Sequence, residues 1–302
     1  MTSLLTVVIP ARNEERHIER SVKSALRLTP NVYVIDSAST DATVRIAEGL
    51  GAKVFQYEWT PSSTFSKKIN WAINELELPT PWAVRLDADE YFMDDCIEQL
   101  EARVRALPDD VHGCTLVRRI HFMGRWMRHS GEYPKTSLRV LRVKHAFYEE
   151  RWLDEHVDLM GGKAEELPLD VVDDSHISMS EWINKHNGYS NKEAIELINA
   201  EIDLFDRPNI SSHLDKNARK VRRKKGLYYK LPRYWRAFFF FCYRYVLQFG
   251  FLDGKPGFMW NFMQCWWYRT LCDAKVEEIY AACGKDKARI KAYVKQYYHL
   301  DI

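Results

Sequence analysis

The 302-residue sequence has no closely spaced pair of cysteines. Cys96, Cys114, Cys242, Cys265, Cys272 and Cys283 show no CxxC and no regular interval, which argues against a zinc ribbon and against a disulfide-stapled secreted module. Free thiols in a reducing cytosol are the expectation. Nor does the chain hold an apolar run near the ~18–20 residues that a spanning helix needs. The longest uninterrupted candidate, Ala237 to Tyr243, is seven residues between Arg236 and Arg244. The start, MTSLLTVVIPARNEE, lacks a basic stretch followed by a long apolar core, so no signal peptide is expected. No surplus of charge exists either: 44 Lys and Arg against 42 Asp and Glu leave +2, which excludes a polyanion binder as a whole and an acidic solvating tail. Gly (13) and Pro (11) are too few for a fibrous or low-complexity chain, and 46% hydrophobic residues exclude disorder. The length suffices to bury a full core without staples.

What is present is alternation of strand and helix patterns. Leu5 to Ile9 is a β-branched run stopped by Pro10, the pattern of a buried parallel strand. Ile18, Val22, Ala25 and Leu26 repeat at helical spacing, with Asn13 as the expected cap. Val32 to Ile35 forms the next strand, ending at Asp36. Ser39, Thr40 and Asp41 offer cap oxygens to a helix carrying Val44, Ala47 and Leu50. Lys53 to Tyr57 is a third strand, Lys67 to Leu76 a helix, and Trp82 to Leu86 a fourth strand ending at Asp87. Such alternation implies βαβ units and a parallel sheet. Gly113 to Arg119 and Leu138 to Val143 read as further strands, and a helical pattern begins at Glu181.

Polar residues gather where strands end: Arg12, Asn13 and Glu14, then Asp36, then Asp87 and Asp89. Ligands of open α/β sheets bind at the carboxyl ends of strands. Asp87 and Asp89, two carboxylates at i and i+2, suit a hard divalent cation that bridges to phosphates.

The segments TVVIPARNEE, VIDSASTDAT and RLDADE, in this order and at these spacings, resemble the nucleotide-sugar-binding half of family 2 glycosyltransferases. A weaker likeness continues through FSKKINWAI, RRIHFMGRW, RWLDEH and W-x-x-x-H-N-x-Y, in the manner of bacterial enzymes that build lipopolysaccharide cores, capsules or exopolysaccharides. The resemblance implies a GT-A fold: α/β, with a mixed, mostly parallel sheet flanked by helices. It implies transfer, with inversion, from a nucleoside-diphosphate sugar (UDP-linked in many members) to a hydroxyl of a glycan or lipid-linked glycan. By motif, Pro10, Ala11, Arg12 and Glu14 would line the nucleotide pocket. Asp36 would accept hydrogen bonds from the base, and Asp87 would sit at the ribose. Asp89, with Asp87 and His176, would hold Mn²⁺ or Mg²⁺ against the diphosphate. Lys68 either faces the nucleotide or is a solvated helix lysine, and His176 is either a ligand or an ordinary surface residue. For the general base the resemblance points to Glu155, with Asp154 as runner-up. Arg139 or Arg142 is a candidate phosphate contact, and His186 and Asn187 are candidates to touch the acceptor.

Residues 216–236 hold ten Lys and Arg and no Asp or Glu, and residues 228–268 contain 18 of the 40 aromatic residues. Such composition suits an anionic membrane surface better than nucleic acid, because the aromatics are massed rather than interleaved. The alternative is an ordinary helical core or an oligomer interface. Leu252 to Gly257 reads as the turn of a helical hairpin. The expectation is therefore a glycosyltransferase domain over 1–205 and a helical, basic and aromatic C-terminal extension over 206–302. The expected location is cytoplasmic, at the inner face of the plasma membrane. A nucleotidyltransferase on a similar sheet and a non-catalytic nucleotide- or partner-binding module are the alternatives.

Overall fold

The computed structural model describes residues 3–60, 63–149, 157–205, 228–229, 231–300 and 302. The chain forms two compact units. Residues up to 149 together with 157–176 make the first, and residues 177–205 with 228–302 fall in the second. The sequence pattern set a boundary at 205; by packing, the helix that precedes it goes with the second unit, because its apolar residues Ala194, Ile195, Leu197 and Ile198 lie in that unit's core.

Strand β1 (Leu5–Ala11) is buried along its whole length, as a central parallel strand covered on both faces must be. Its neighbours β2 (Val32–Asp36) and β4 (Trp82–Arg85) run parallel to it, and β3 (Lys53–Gln56) runs parallel to β2. Beyond β4 come β8 (Lys135–Arg142), antiparallel, then β6 (Val111–Phe122), β11 (Lys163–Asp174) and β5 (Glu90–Phe92). Six strands point one way, so one rim of the sheet collects the ends of β1, β2, β3, β4, β6 and β11.

Side-chain alternation builds a core on each face. Leu5, Val7, Ile9, Val32, Val34 and Val84 pack under α1 (Ile18–Leu28) and α4 (Asp94–Arg105). Val8, Tyr33, Ile35 and Ala83 meet Ile69, Ala72 and Ile73 on the other face, where α3 (Phe65–Asn70) continues into a π-helical turn to Glu75. Thr64 caps α3 by accepting from the Lys67 N–H at 3.2 Å. Asn13, expected as the cap of α1, does something else. It adopts φ 56° and its Oδ1 accepts from the Thr40 N–H at 2.8 Å, while the cap position falls to His17. The polar loops after β1 and β2 are thereby tied together.

In the second unit, α5 (Met179–Ile202) opens with a capping box between Ser178 and Glu181. It packs on α8 (Tyr268–Cys283), with α9 (Lys287–Tyr298) closing the cluster. Helix α6 (Trp235–Cys242) is followed by a π-helical turn, Tyr243–Leu247, and a short turn at Gly250–Asp253, after which α7 (Gly254–Asn261) begins. The hairpin turn thus lies earlier than the sequence pattern implied. Lys255, Pro256 and Gly257 occupy the first turn of α7, where proline loses no helical hydrogen bond. Gly257 is needed for closeness: a Cβ there would stand 2.6 Å from the Gly250 carbonyl oxygen. All six cysteines are free thiols, and no helix among the described residues is long and apolar enough to cross a membrane.

A buried ion pair fastens α6 to α8. The Arg236 guanidinium meets both oxygens of Asp273, with Nε at 3.2 Å and Nη2 in close contact, and the Tyr234 N–H donates to the same carboxylate at 2.8 Å. Removing one partner leaves a buried charge alone, which costs about 3–5 kcal/mol. Asp273→Ala is accordingly expected to lower stability by that amount, read as a fall in the melting temperature of the second unit by calorimetry.

Candidate active site at the carboxyl rim of the sheet

Register alone brings the sequence clusters together. Ala11 pairs with Asp36, Val8 with Arg85, Asp173 with Glu90 and Asp174 with His121. Pro10, Ala11, Arg12, Glu14, Asp36, Asp87, Asp89, Asp173, Asp174 and His176 therefore all belong to one rim, although the sequence separates the first and last by more than 160 residues. Arg12 is exposed and Glu14 partly so.

Lys68 is not a solvated helix lysine. It is 3% exposed, and its ammonium donates to the Ala11 carbonyl at 2.9 Å. Desolvation lowers its pKa to about 8, opposed by the charges of Asp36, Glu14 and Asp87 and reinforced by Arg12. The ammonium thus stands among the residues that the three motifs deliver. Asp36 is buried, and both of its oxygens accept from Ser39, from the N–H at 2.9 Å and from Oγ at 2.5 Å. A carboxylate oxygen accepts two hydrogen bonds, so capacity for a further donor remains.

Asp87 is held by two guanidiniums. Arg85 binds it through Nε (2.9 Å) and Nη2 (3.0 Å), and Arg139 through Nη1 (3.1 Å). Despite burial, these cations keep its carboxyl well below the usual range. Arg139 also reaches Glu90 through Nη2 at 2.5 Å, while the other Glu90 oxygen accepts from the Asp87 N–H at 3.0 Å. Burial, with the charges of Asp87 and Asp173 nearby, lifts Glu90 to about 8. Asp173 is lifted to about 6 by burial and by the charge of Asp89. Arg139 is thus a buried clamp on carboxylates. Arg142 points elsewhere, donating to the Asp109 carbonyl at 2.6 Å.

A third group of contacts joins the β1 loop to the end of β11. The His176 N–H donates to His17 Nε2 at 3.0 Å, so neutral His17 carries its proton on Nδ1 and donates it to Glu14 at 2.8 Å. Arg20 binds the Asp174 carboxylate (3.0 Å) and carbonyl, and the Asp89 carbonyl at 3.2 Å. His176 Nε2 lies 3.0 Å from Asp174. His17, Arg20, Arg85, Glu90 and Asp173 were not singled out by sequence reasoning. Arg85 and Glu90 carried a signal, as the first and last residues of the RLDADE motif.

For a divalent cation the donor set fits unevenly. Asp87 is committed to guanidiniums, and among the described residues no three His, Cys, Asp or Glu side chains are grouped to hold a metal. Asp89 fits better. Burial and the charge of Asp89 raise the neighbouring Asp173, which Arg118 meets at 3.7 Å, and Mg²⁺ needs only one or two carboxylates when phosphates supply the rest. Asp154 and Glu155 lie outside the described residues. His186 and Asn187 belong to the second unit and are consumed there. His186 stacks on Trp182 with ring centroids 3.5 Å apart and donates to the Trp182 carbonyl at 2.9 Å, while Asn187 accepts twice from Lys275.

Titration of Lys68 yields a prediction with a definite sign. Between pH about 8 and its ordinary 10.5 the unfolded chain binds the extra proton at this site, so the Lys68 contribution to stability, read as the difference between wild type and Lys68→Met, rises with pH across that window. Affinity for inorganic pyrophosphate should fall across the same window as the ammonium discharges. Lys68→Met is expected to remove both trends and to weaken pyrophosphate at neutral pH by roughly 10- to 100-fold, the worth of a charged hydrogen bond. Calorimetric titration and thermal melts against pH check it.

Glycosyl transferase family 2 matches residues 6–163, more than half of the chain. An uncharacterized glycosyltransferase of Rickettsia conorii is 32% identical over 104 residues, covering 33% of this chain and 34% of that protein. The succinoglycan biosynthesis protein ExoA of Rhizobium meliloti is 32% identical over 100 residues, covering 31% of this chain and 30% of that protein. The match thus spans about a third of the length of these curated relatives. Among solved structures, glucosyl-3-phosphoglycerate synthase from Mycobacterium tuberculosis is similar at 21% identity with a TM-score of 0.33, over 39% of this chain and 44% of that one. With its α/β, GT-A-type sheet and the motifs of that sheet's rim, the chain belongs to glycosyl transferase family 2.

Proposed function

We propose that the protein transfers a sugar, with inversion, from a nucleoside-diphosphate sugar, UDP-linked in this reading, to a hydroxyl of a glycan or lipid-linked glycan in bacterial cell-surface polysaccharide synthesis. The observation that carries this reading is the buried Lys68 ammonium, set among Ala11, Asp36, Glu14 and Asp87 where the first, second and fourth strands end. A buried cation at such a rim suits a diphosphate, and the carboxylates around it suit the hydroxyls and N–H groups of a nucleoside. The relationship to ExoA, a succinoglycan biosynthesis protein, supports a polysaccharide setting.

In the reaction the acceptor oxygen bonds to the anomeric carbon, the bond from that carbon to the diphosphate oxygen breaks, and the acceptor proton passes to a base. Glu155 is the proposed base, with Asp154 the second choice. An alcohol far from its own pKa needs such a positioned acceptor, worth about 10²–10⁴ in rate. Lys68, with Arg12 beside it, stabilises the charge that grows on the departing diphosphate. Asp87, kept ionised and immobile by Arg85 and Arg139, accepts from ribose hydroxyls. Asp36 accepts from the base through its remaining lone pairs. Pro10, Ala11 and Glu14 line the pocket, and Asp89 and His176 are the residues that would hold Mn²⁺ or Mg²⁺. Such a cation would supply Lewis-acid stabilisation of the leaving group's charge.

Turnover of UDP-sugars in the presence of Mn²⁺ tests the proposal. Release of nucleoside diphosphate supports transferase chemistry, whereas release of pyrophosphate would mark a nucleotidyltransferase. Glu155→Gln should lower kcat by about 10²–10⁴-fold with donor affinity unchanged, and Asp89→Ala should lose activity together with the response to Mn²⁺. Full activity in both variants would remove the assignment.

A further inference from the structure

The second unit leaves a long apolar stripe on its surface. Trp235, Phe239, Tyr243 and Leu247 follow one another at intervals of four along α6 and the π-helical turn after it, and are 62%, 58%, 47% and 68% exposed. Successive positions at this spacing share one helix face. The opposite face of the same helix is satisfied: Phe238 and Phe241 pack on Trp266, with ring centroids 5.1 and 5.5 Å apart. Past Leu247 the stripe is extended by exposed Phe249 and Leu252. Soluble surfaces rarely leave so much contiguous aromatic and aliphatic area uncovered.

In sequence the stripe lies within a stretch dominated by one charge: residues 216–272 contain thirteen Lys and Arg and a single acidic residue, Asp253, which is buried. Among the described residues Arg233 is paired with Glu201 and Glu277. We infer that this face is a docking surface for an anionic lipid bilayer, with the helix lying in the plane of the interface and Trp235, Phe239 and Leu247 entering it. Two features favour a bilayer over a second copy of the chain. An anionic membrane supplies countercharge to the ten Lys and Arg that the sequence carries over residues 216–236, leading into the helix that bears the stripe. The mixture of Trp, Tyr and Phe with flanking cations suits the boundary between headgroups and acyl chains, and no helix among the described residues is long enough to span. The inference does not rest on the transfer reaction, since a chain inactive toward every donor would dock in the same way.

Cosedimentation of the full chain with phosphatidylcholine vesicles, with and without phosphatidylglycerol, tests it. The wild type is expected to sediment with the anionic vesicles, to bind the neutral ones at least about tenfold more weakly, and to be released by salt. The full-length variant carrying Trp235→Ser, Phe239→Ser and Leu247→Ser should bind anionic vesicles on the order of a hundredfold more weakly, because the apolar area entering the interface sets the strength. Circular dichroism verifies that it is folded. A wild type that stays in the supernatant with both vesicle types overturns the inference whatever the variant does. So does a folded triple variant that binds as the wild type does. A wild-type dimer in sedimentation velocity that dissociates on the triple substitution, with no vesicle binding, assigns the face to a second copy instead.

Discussion

Two guanidiniums on one carboxylate, Arg85 and Arg139 on Asp87, are the interaction around which the rim is organised. A carboxylate half-buried at the end of a parallel strand is destabilising unless its charge is matched. Matching it with Arg85 uses the same strand, two residues back. Matching it with Arg139 uses a neighbouring antiparallel strand, so the two strands must keep their register for the charges to meet. The antiparallel β8 therefore does more than extend the sheet: it carries a cation to the rim from the opposite direction. Glu90, reached by the other arm of Arg139, joins the turn after β4 to the same clamp.

The contacts among Glu14, His17, His176, Asp174 and Arg20 perform a comparable service at the other side of Asp89. They tie the loop after β1 to the end of β11, so Asp89 sits on a turn held through its own backbone carbonyl by Arg20 and by the Asp174 N–H. A side chain meant to meet a ligand profits from a fixed backbone beneath it, because less ordering remains to be done on binding. The loops after β1 and β2 are fixed likewise, through Asn13 with Thr40 and Glu14 with Thr43.

The parallel core was legible in the sequence for a simple reason. Strands covered on both faces must be apolar throughout, and Leu5 to Ile9, Val32 to Ile35 and Trp82 to Leu86 say so without reference to anything distant. Asp36, Asp87 and Asp89 were legible because they directly follow such runs. Lys68 was not decided by its spacing, since a lysine on a helix reads the same whether its ammonium meets solvent or a strand-end carbonyl. Arg139 was visible only as an awkward charge in a strand. Its partners lie 52 and 49 positions away, and pairing at that distance leaves no local trace. Asn13 misled for a related reason: Asn caps helices and bridges loops with the same oxygen, and here the bridge to Thr40 won. His186 and Asn187 looked functional through resemblance, yet His186 stacks on Trp182 and donates to its carbonyl, and Asn187 accepts from Lys275, contacts within the second unit's own helices.

Comparison of the buried charges in the two units separates structure from chemistry. In the second unit buried charges are answered in place: Arg236 by Asp273, Arg269 by Glu193, and Lys275 by amide and hydroxyl oxygens of Asn187, Ser190 and Asn191. Nothing in such pairs asks for a further partner. At the rim of the first unit the balance is less complete. Lys68 has a carbonyl oxygen at its tip, and although the charges of Asp36, Glu14 and Asp87 support its ammonium, burial drives it down to about 8. Asp173 has Arg118 at 3.7 Å and is still driven up by burial to about 6, with the charge of Asp89 beside it. Both groups hold their charges against their surroundings, and perturbed groups of this kind, gathered at the carboxyl ends of strands, are what distinguishes the rim from the paired charges of the second unit.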